Sequence, residues 1–227
     1  VDASAATDTG LAVDASAATD TGLDLDTSPS ADAIADLPGD LPPEIIAPPP
    51  PELVAWYRFE DPDAPQIQDS SLYGNHGEPA PELIRGVAGR VGLCVRFDGV
   101  DANVVVPHSE SLDLVDALTL EAWVYLDTPD NWNKMLVRKY LQYQMSVSVV
   151  PLPGLLEFYS QPLGFARNDD PVDFGRWVHA AVSWDGGIAR LYLDGVLAKA
   201  VPMEGAVLSK GTVLYLGSDG LNGTAPF

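Results

Sequence analysis

The most constraining stretch of the chain is LTLEAWVYL at 118–126, where an aliphatic residue occupies every second position. Successive side chains of a β-strand point to opposite faces. Leu118, Leu120, Ala122 and Val124 therefore share one side, and Thr119, Glu121, Trp123 and Tyr125 the other. The aliphatic set is expected to face a core. Similar short runs recur between turn residues: LVAWYRF, GLCVRF, ANVVVP, KMLVRK, YQMSVSVV, LLEFYS, WVHAAVSW, ARLYLDG and TVLYLG. None carries a sustained helical period, so the rhythm predicts an all-β, antiparallel two-sheet sandwich. WDGGIARLYLDG at 184–195 predicts a hairpin, because Asp185, Gly186 and Gly187 can take the positive φ of a tight turn, and Asp194 and Gly195 supply a second turn.

The strand-like runs begin only at Leu53. Before it, residues 1–52 hold eleven acids and no Lys or Arg, while all five Trp lie beyond. VDASAATDTGLA at 1–12 recurs as VDASAATDTGLD at 13–24, and neither copy offers an apolar face to bury. Residues 1–52 are thus expected to be a disordered acidic tether, extended by Asp repulsion and stiffened by the proline run ahead of the folded part at 53–227. The net charge of -21 argues against nucleic acid as a partner, since phosphate contact needs clustered Lys and Arg. Cys94 is the only cysteine, which excludes an internal disulfide and predicts a small packed thiol. No apolar run is long enough to span a bilayer as a helix.

LVAWYRFED, DSSLYGNHG, RVGLCVRFDGVD, LTLEAWVYL, RWVHAAVSWDGGIARLYLDGVL and VLYLGSDG, in this order and spacing, resemble the laminin-G-like, concanavalin A-like jelly-roll domains over roughly 53–227. The resemblance implies a jelly-roll sandwich used for binding, often with structural calcium. Domains of that family usually close with a further strand that begins where this chain reaches Phe227. The resemblance therefore predicts one open position in a sheet. The acidic tether is similar to the spacers that follow the lipid-modified cysteine of bacterial surface lipoproteins. This implies an extracellular or cell-surface location, with a signal peptide removed and a lipid anchor upstream of Val1.

Two loops carry oxygen donors suited to a hard cation. In DSSLYGNHG the candidate ligands are Asp69 and Asn75; in FDGVDAN they are Asp98 and Asp101, on a short connection with Asn103. The competing reading of the first loop is that Asp69 caps backbone amides and the glycines permit sharp turns. For ligand contact, sugar rings stack on aromatic faces while amides and charged groups take the hydroxyls. Trp132 and Asn133, in the polar loop DTPDNWNK, form the leading pair. Trp132 has less structural excuse than Trp56, Trp123, Trp177 or Trp184. Tyr159, Arg167 and Asn168 form a second candidate rim. NGT at 222–224 matches a glycosylation sequon.

Catalytic signals are missing from the pattern. Glycoside hydrolysis needs two carboxylates about 5 to 10 Å apart, and Glu121 stands on its strand beside Trp123 and Tyr125 rather than beside further acids. His76, His108 and His179 lack metal-ligand spacing, and no Ser lies in a nucleophile-elbow context. The expected function is a non-catalytic extracellular module that binds glycan or an extracellular protein. The alternatives are a structural or adhesive spacer and an accessory domain of a polysaccharide-degrading enzyme.

Overall fold

A computed structural model describes residues 49–127, 133–148, 154–218 and 220, together with the backbone of 11–14. In chain order the strands are β1 (Leu11–Asp14), β2 (Glu78–Pro79), β3 (Ile84–Ala88), β4 (Leu93–Phe97), β5 (Val104–Val106), β6 (Leu118–Leu126) and β7 (Lys134–Lys139). They continue with β8 (Tyr143–Ser148), β9 (Leu155–Ser160), β10 (Gly164–Arg167), β11 (Trp177–Trp184), β12 (Ile188–Leu193), β13 (Val196–Pro202) and β14 (Leu214–Leu216). A short 3-10 turn covers Glu110–Leu112. Among the described residues no helix is long and apolar enough to cross a membrane.

The strands form two antiparallel sheets. One runs β13-β12-β11-β6-β1-β4-β3 and the other β10-β9-β8-β7-β14-β5-β2. A single apolar cluster lies between them, to which Phe97, Val124, Val182 and Leu191 contribute from the first sheet and Leu136, Met145, Leu156 and Phe158 from the second. Full burial of side chains of this size contributes roughly 1.5–3 kcal/mol each, and the alternation along β6 decides which of its residues take part. Leu118, Ala122, Val124 and Leu126 are buried, whereas Thr119 and Glu121 are exposed. Trp184 is a core residue whose indole N–H donates to the Met203 carbonyl at 2.8 Å. Cys94 is a fully buried free thiol.

The hairpins follow their turn residues. Asp185 accepts the backbone N–H groups of Gly187 and Ile188 at 3.0 and 2.8 Å, and Gly186 has φ +89°. Asp194 and Gly195, at φ +50° and +76°, reverse the chain between β12 and β13.

One expectation needs correction. LVAWYRF is not a regular strand: apart from the bridge between Tyr57 and Asp69, this segment pairs with nothing in the sheets. Phe59 takes φ +58°, which breaks the extended path, and the Trp56 N–H donates to the Asp69 side chain at 2.8 Å instead of to a strand. Leu11–Asp14, within the span expected to be tether, is a strand between β4 and β6. The edges of β4 and β6 offer backbone groups to a strand-compatible segment, and Leu11–Asp14 pairs with both. β1 pairs with β6 only over Trp123–Leu126, while β11 pairs with β6 from Leu118 to Tyr125. Alongside Leu118–Ala122 no described strand lies on the β1 side.

Candidate functional site

That gap opens into a cavity of about 700 Å³. Its lining contains every residue of β6 from Leu118 to Trp123, inward-facing and outward-facing alike. Residues of both faces can line one space only where the edge of the strand is exposed, so the cavity cuts through the first sheet from solvent to core. Leu53–Tyr57 form the opposite wall, and Leu112, Val137, Tyr143, Leu214 and Leu216 the apolar floor. The mouth is different in chemistry: Trp56 and Glu52 stand on one side, and Trp123, Glu121 and His179 on the other.

The outer rim belongs to a ladder of aromatic side chains. β6 and β11 pair so that Trp177 lies opposite Tyr125 and His179 opposite Trp123. All four point away from the core and are half-buried. Their ring centroids are 5.7 Å apart for Tyr125 and Trp177 and 5.2 Å for Trp123 and His179. His179 Nε2 also faces the Glu121 carboxylate at 3.8 Å. The β11–β12 pairing sets Tyr192 beside Ala181 on the same face. Two guanidinium groups lie on the indoles of the rim, Arg58 over Trp56 at 5.3 Å and Arg90 over Trp123 at 5.1 Å from the ring centroids. Broad aromatic faces beside charged and hydroxyl groups at an open cleft suit a ligand with apolar faces and polar edges.

The sequence alone does not mark these aromatics as ligand-contacting, because Trp123 and Trp177 read as ordinary strand tryptophans. The signal that could have found them is the alternation itself, which puts Trp123 and Tyr125 on the face opposite Ala122 and Val124. Trp132 lies outside the described residues, as does NGT at 222–224. Asn133 is exposed, immediately before β7.

The second predicted rim is brought together in part. The β9–β10 pairing places Tyr159 opposite Phe165 and Glu157 opposite Arg167. Tyr159 and Phe165 have centroids 4.5 Å apart, and the Arg167 guanidinium lies 5.0 Å from that of Phe165, which is 55% exposed. Arg167 also pairs with the buried Glu157. Burial pushes the Glu157 carboxyl up, against the lowering effect of Arg167 and Ser146. Asn168 does not join this rim. It is buried, its amide N–H donates to the Asp170 carbonyl at 2.7 Å, and its Oδ1 has no hydrogen-bond partner among the described residues.

The four predicted metal ligands sit in two loops with work of their own. Both oxygens of Asp69 are taken: Oδ1 accepts the backbone N–H groups of Trp56 and Ser71, each at 2.8 Å, and Oδ2 accepts the Asn75 N–H at 2.8 Å and the Ser71 hydroxyl at 2.6 Å. The Asn75 side chain donates to the Val54 carbonyl at 2.7 Å and to Ser111 Oγ at 2.9 Å. Tyr57 donates its hydroxyl to the Asn75 carbonyl at 2.6 Å. Asp98 Oδ1 accepts three backbone N–H groups, from Val100, Asp101 and Ala102, at 2.9, 3.2 and 3.0 Å. Burial raises its carboxyl, but these donors outweigh it and hold the group low. Asp101 is pushed up by desolvation and by the charges of Glu82 and Asp98. Among the described residues no three His, Cys, Asp or Glu side chains converge on a metal position. A cation at Asp69 would have to displace bonds that the loop already uses.

Residues 98–227 match the family described as the concanavalin A-like lectin/glucanases superfamily, under the heading of laminin G, and the chain belongs to that family. Among solved structures it is similar to domain 4 of an extracellular GH43 arabinanase from Geobacillus stearothermophilus, in complex with arabinotriose. The identity is 19% and the TM-score 0.56, over 77% of this chain and 86% of that one. It is also similar to the carbohydrate-binding module CBM66 from Bacillus subtilis, at 16% identity and a TM-score of 0.34, over 62% of this chain and 84% of that one. No curated protein sequence matches it.

Proposed function

We propose that the chain is a non-catalytic carbohydrate-binding module, carried outside a bacterial cell on its acidic tether and a lipid anchor. The observation that carries this reading is the ladder of Trp123, Tyr125, Trp177 and His179 on the solvent-facing side of the first sheet, beside the mouth of the cleft. A large aromatic side chain left half-exposed on a sheet face forgoes burial energy, and stacking on a sugar ring recovers it. The similar arabinanase domain was solved with arabinotriose, which supports an oligosaccharide as a ligand that such a sandwich can accommodate. The tether has the composition of a solvated spacer, in keeping with a module held away from a surface.

The reading is tested by titrating the folded chain against a panel of neutral and acidic oligosaccharides, in calcium and in EDTA, with Trp123→Ala as the control. Saturable binding that drops at least tenfold in Trp123→Ala, with the thermal midpoint within a few degrees of wild type, is the expected result. A wild-type protein with a native circular dichroism spectrum that binds none of the panel would refute the reading. Protease shaving of intact cells checks the location, since a surface module is cleaved without lysis.

A further inference from the structure

We infer that the glycan held at this rim carries carboxylate groups, and is therefore an oligosaccharide containing uronic acid; the inference rests on the glycan-binding reading. In a protein of net charge -21, a basic side chain ordinarily finds an acid. On and around the first sheet this holds for Arg96 with Asp127 at 2.9 Å, for Arg190 with Asp185 at 2.7 Å, and for Arg176 with Asp173 and Asp194 at 2.7 and 2.9 Å. Arg85, on β3, donates to the Ala64 carbonyl at 2.6 Å instead, whereas Arg58 and Arg90 have neither kind of partner among the described residues. Both lie over tryptophans that line the same cleft, Trp56 on one wall and Trp123 on the other.

A guanidinium held over an indole by cation–π attraction spends no N–H donor on that contact, so its donors stay available to a ligand. Each group thus presents a preorganised fork with the geometry of a planar carboxylate. The nearby acids do not neutralise them: Glu121 faces His179 at 3.8 Å, Glu52 makes no ion pair to either arginine, and Glu60 and Asp61, which share a small pocket with Arg58, accept the backbone N–H groups of Leu93 and Ala64 instead. Long-range repulsion by the net charge is screened beyond about 8 Å at physiological ionic strength. Contact pairing at the rim then decides affinity for a short acidic oligomer.

The experiment is calorimetric titration of the folded chain with a galacturonate oligomer, with its methyl ester, and with a neutral arabino-oligosaccharide, repeated on the double variant Arg58→Gln/Arg90→Gln. Two charge-assisted contacts predict that the free acid binds roughly tenfold or more tighter than its ester. In the double variant the ratio collapses to about one, while the circular dichroism spectrum and thermal midpoint stay as in wild type. If the ester or the neutral oligomer binds as tightly as the acid, or if the double variant keeps the preference, the inference falls. The glycan-binding reading survives that outcome provided neutral binding is still lost in Trp123→Ala. Failure of all three probes to bind the folded wild type overturns both.

Discussion

Replacing Asp69 with alanine tests the reading that this carboxylate builds the 69–77 loop from within. Four donors lose their acceptor in Asp69→Ala: the backbone N–H groups of Trp56, Ser71 and Asn75 and the Ser71 hydroxyl. Asn75 is buried and Trp56 half-buried, so their amides regain water poorly. A buried donor left without its charged acceptor costs about 1–3 kcal/mol, and the more exposed Ser71 groups cost less. Two such amides place the loss at about 2–6 kcal/mol, a large share of the roughly 5–15 kcal/mol that holds a typical domain together. Asp69→Asn should lose less, because its amide oxygen can still serve Trp56 and Ser71 while its NH₂ group opposes the Asn75 N–H. Urea unfolding followed by tryptophan fluorescence measures the difference. The decisive comparison is between EDTA and millimolar calcium. A carboxylate saturated by the chain gives the same loss in both, and Trp56 moves with it, so ligand affinity at the rim falls as well. A loss under about 1 kcal/mol, or one seen only with calcium, would refute the argument.

Gly217 has φ +71°, and a Cβ there would lie 2.2 Å from Cδ1 of the fully buried Phe97. Gly217→Ala should therefore abolish cooperative thermal unfolding or lower its midpoint steeply, whereas Gly164→Ala, which meets nothing, costs only its positive φ. The fully buried Lys139 donates to the Thr212 carbonyl at 2.6 Å and pairs with Asp113 at 3.1 Å. Burial raises the Asp113 carboxyl, but Ser209, Lys139 and Gln142 outweigh it and hold the group below the usual aspartate range. Its folded value is thus depressed, so it stabilises the fold above the ordinary aspartate pKa, and that contribution is lost as pH falls through the depressed value. The stability gap between wild type and Asp113→Asn, measured by urea melts, should be constant near neutrality and close below about pH 4. Cys94 should resist a thiol reagent until the domain unfolds, with a labelling rate that tracks the denaturant curve; fast labelling of the native protein would contradict its burial.

The sheet faces were legible in local sequence wherever the alternation was unbroken. Over β6 it separates Val124 from Trp123, and Asp194 with Gly195 announces the reversal after β12. LVAWYRF misleads because its composition is that of a strand while its backbone bonds go to Asp69, thirteen residues on. The loop DSSLYGNHG offered two readings, cation site or cap, and composition could not choose between them. The choice depends on which amides converge on Asp69, and Trp56 comes from outside the loop.

The sequence by itself determined an all-β sandwich, a thiol with no disulfide partner, an acidic lead-in without bases and the inward or outward sense of most strand residues. These follow from period two, composition and turn chemistry, all of which act between near neighbours. Only the tertiary structure decided that Trp123 meets His179 and Tyr125 meets Trp177, because that requires the register of two strands separated by some fifty residues. It alone placed Arg90 on Trp123, buried Lys139 against Asp113, and opened a cleft where no described strand lies beside the edge of β6. Register, ion pairing and cavities are set by which surfaces fit when the whole chain packs at once, and no local pattern encodes that fit.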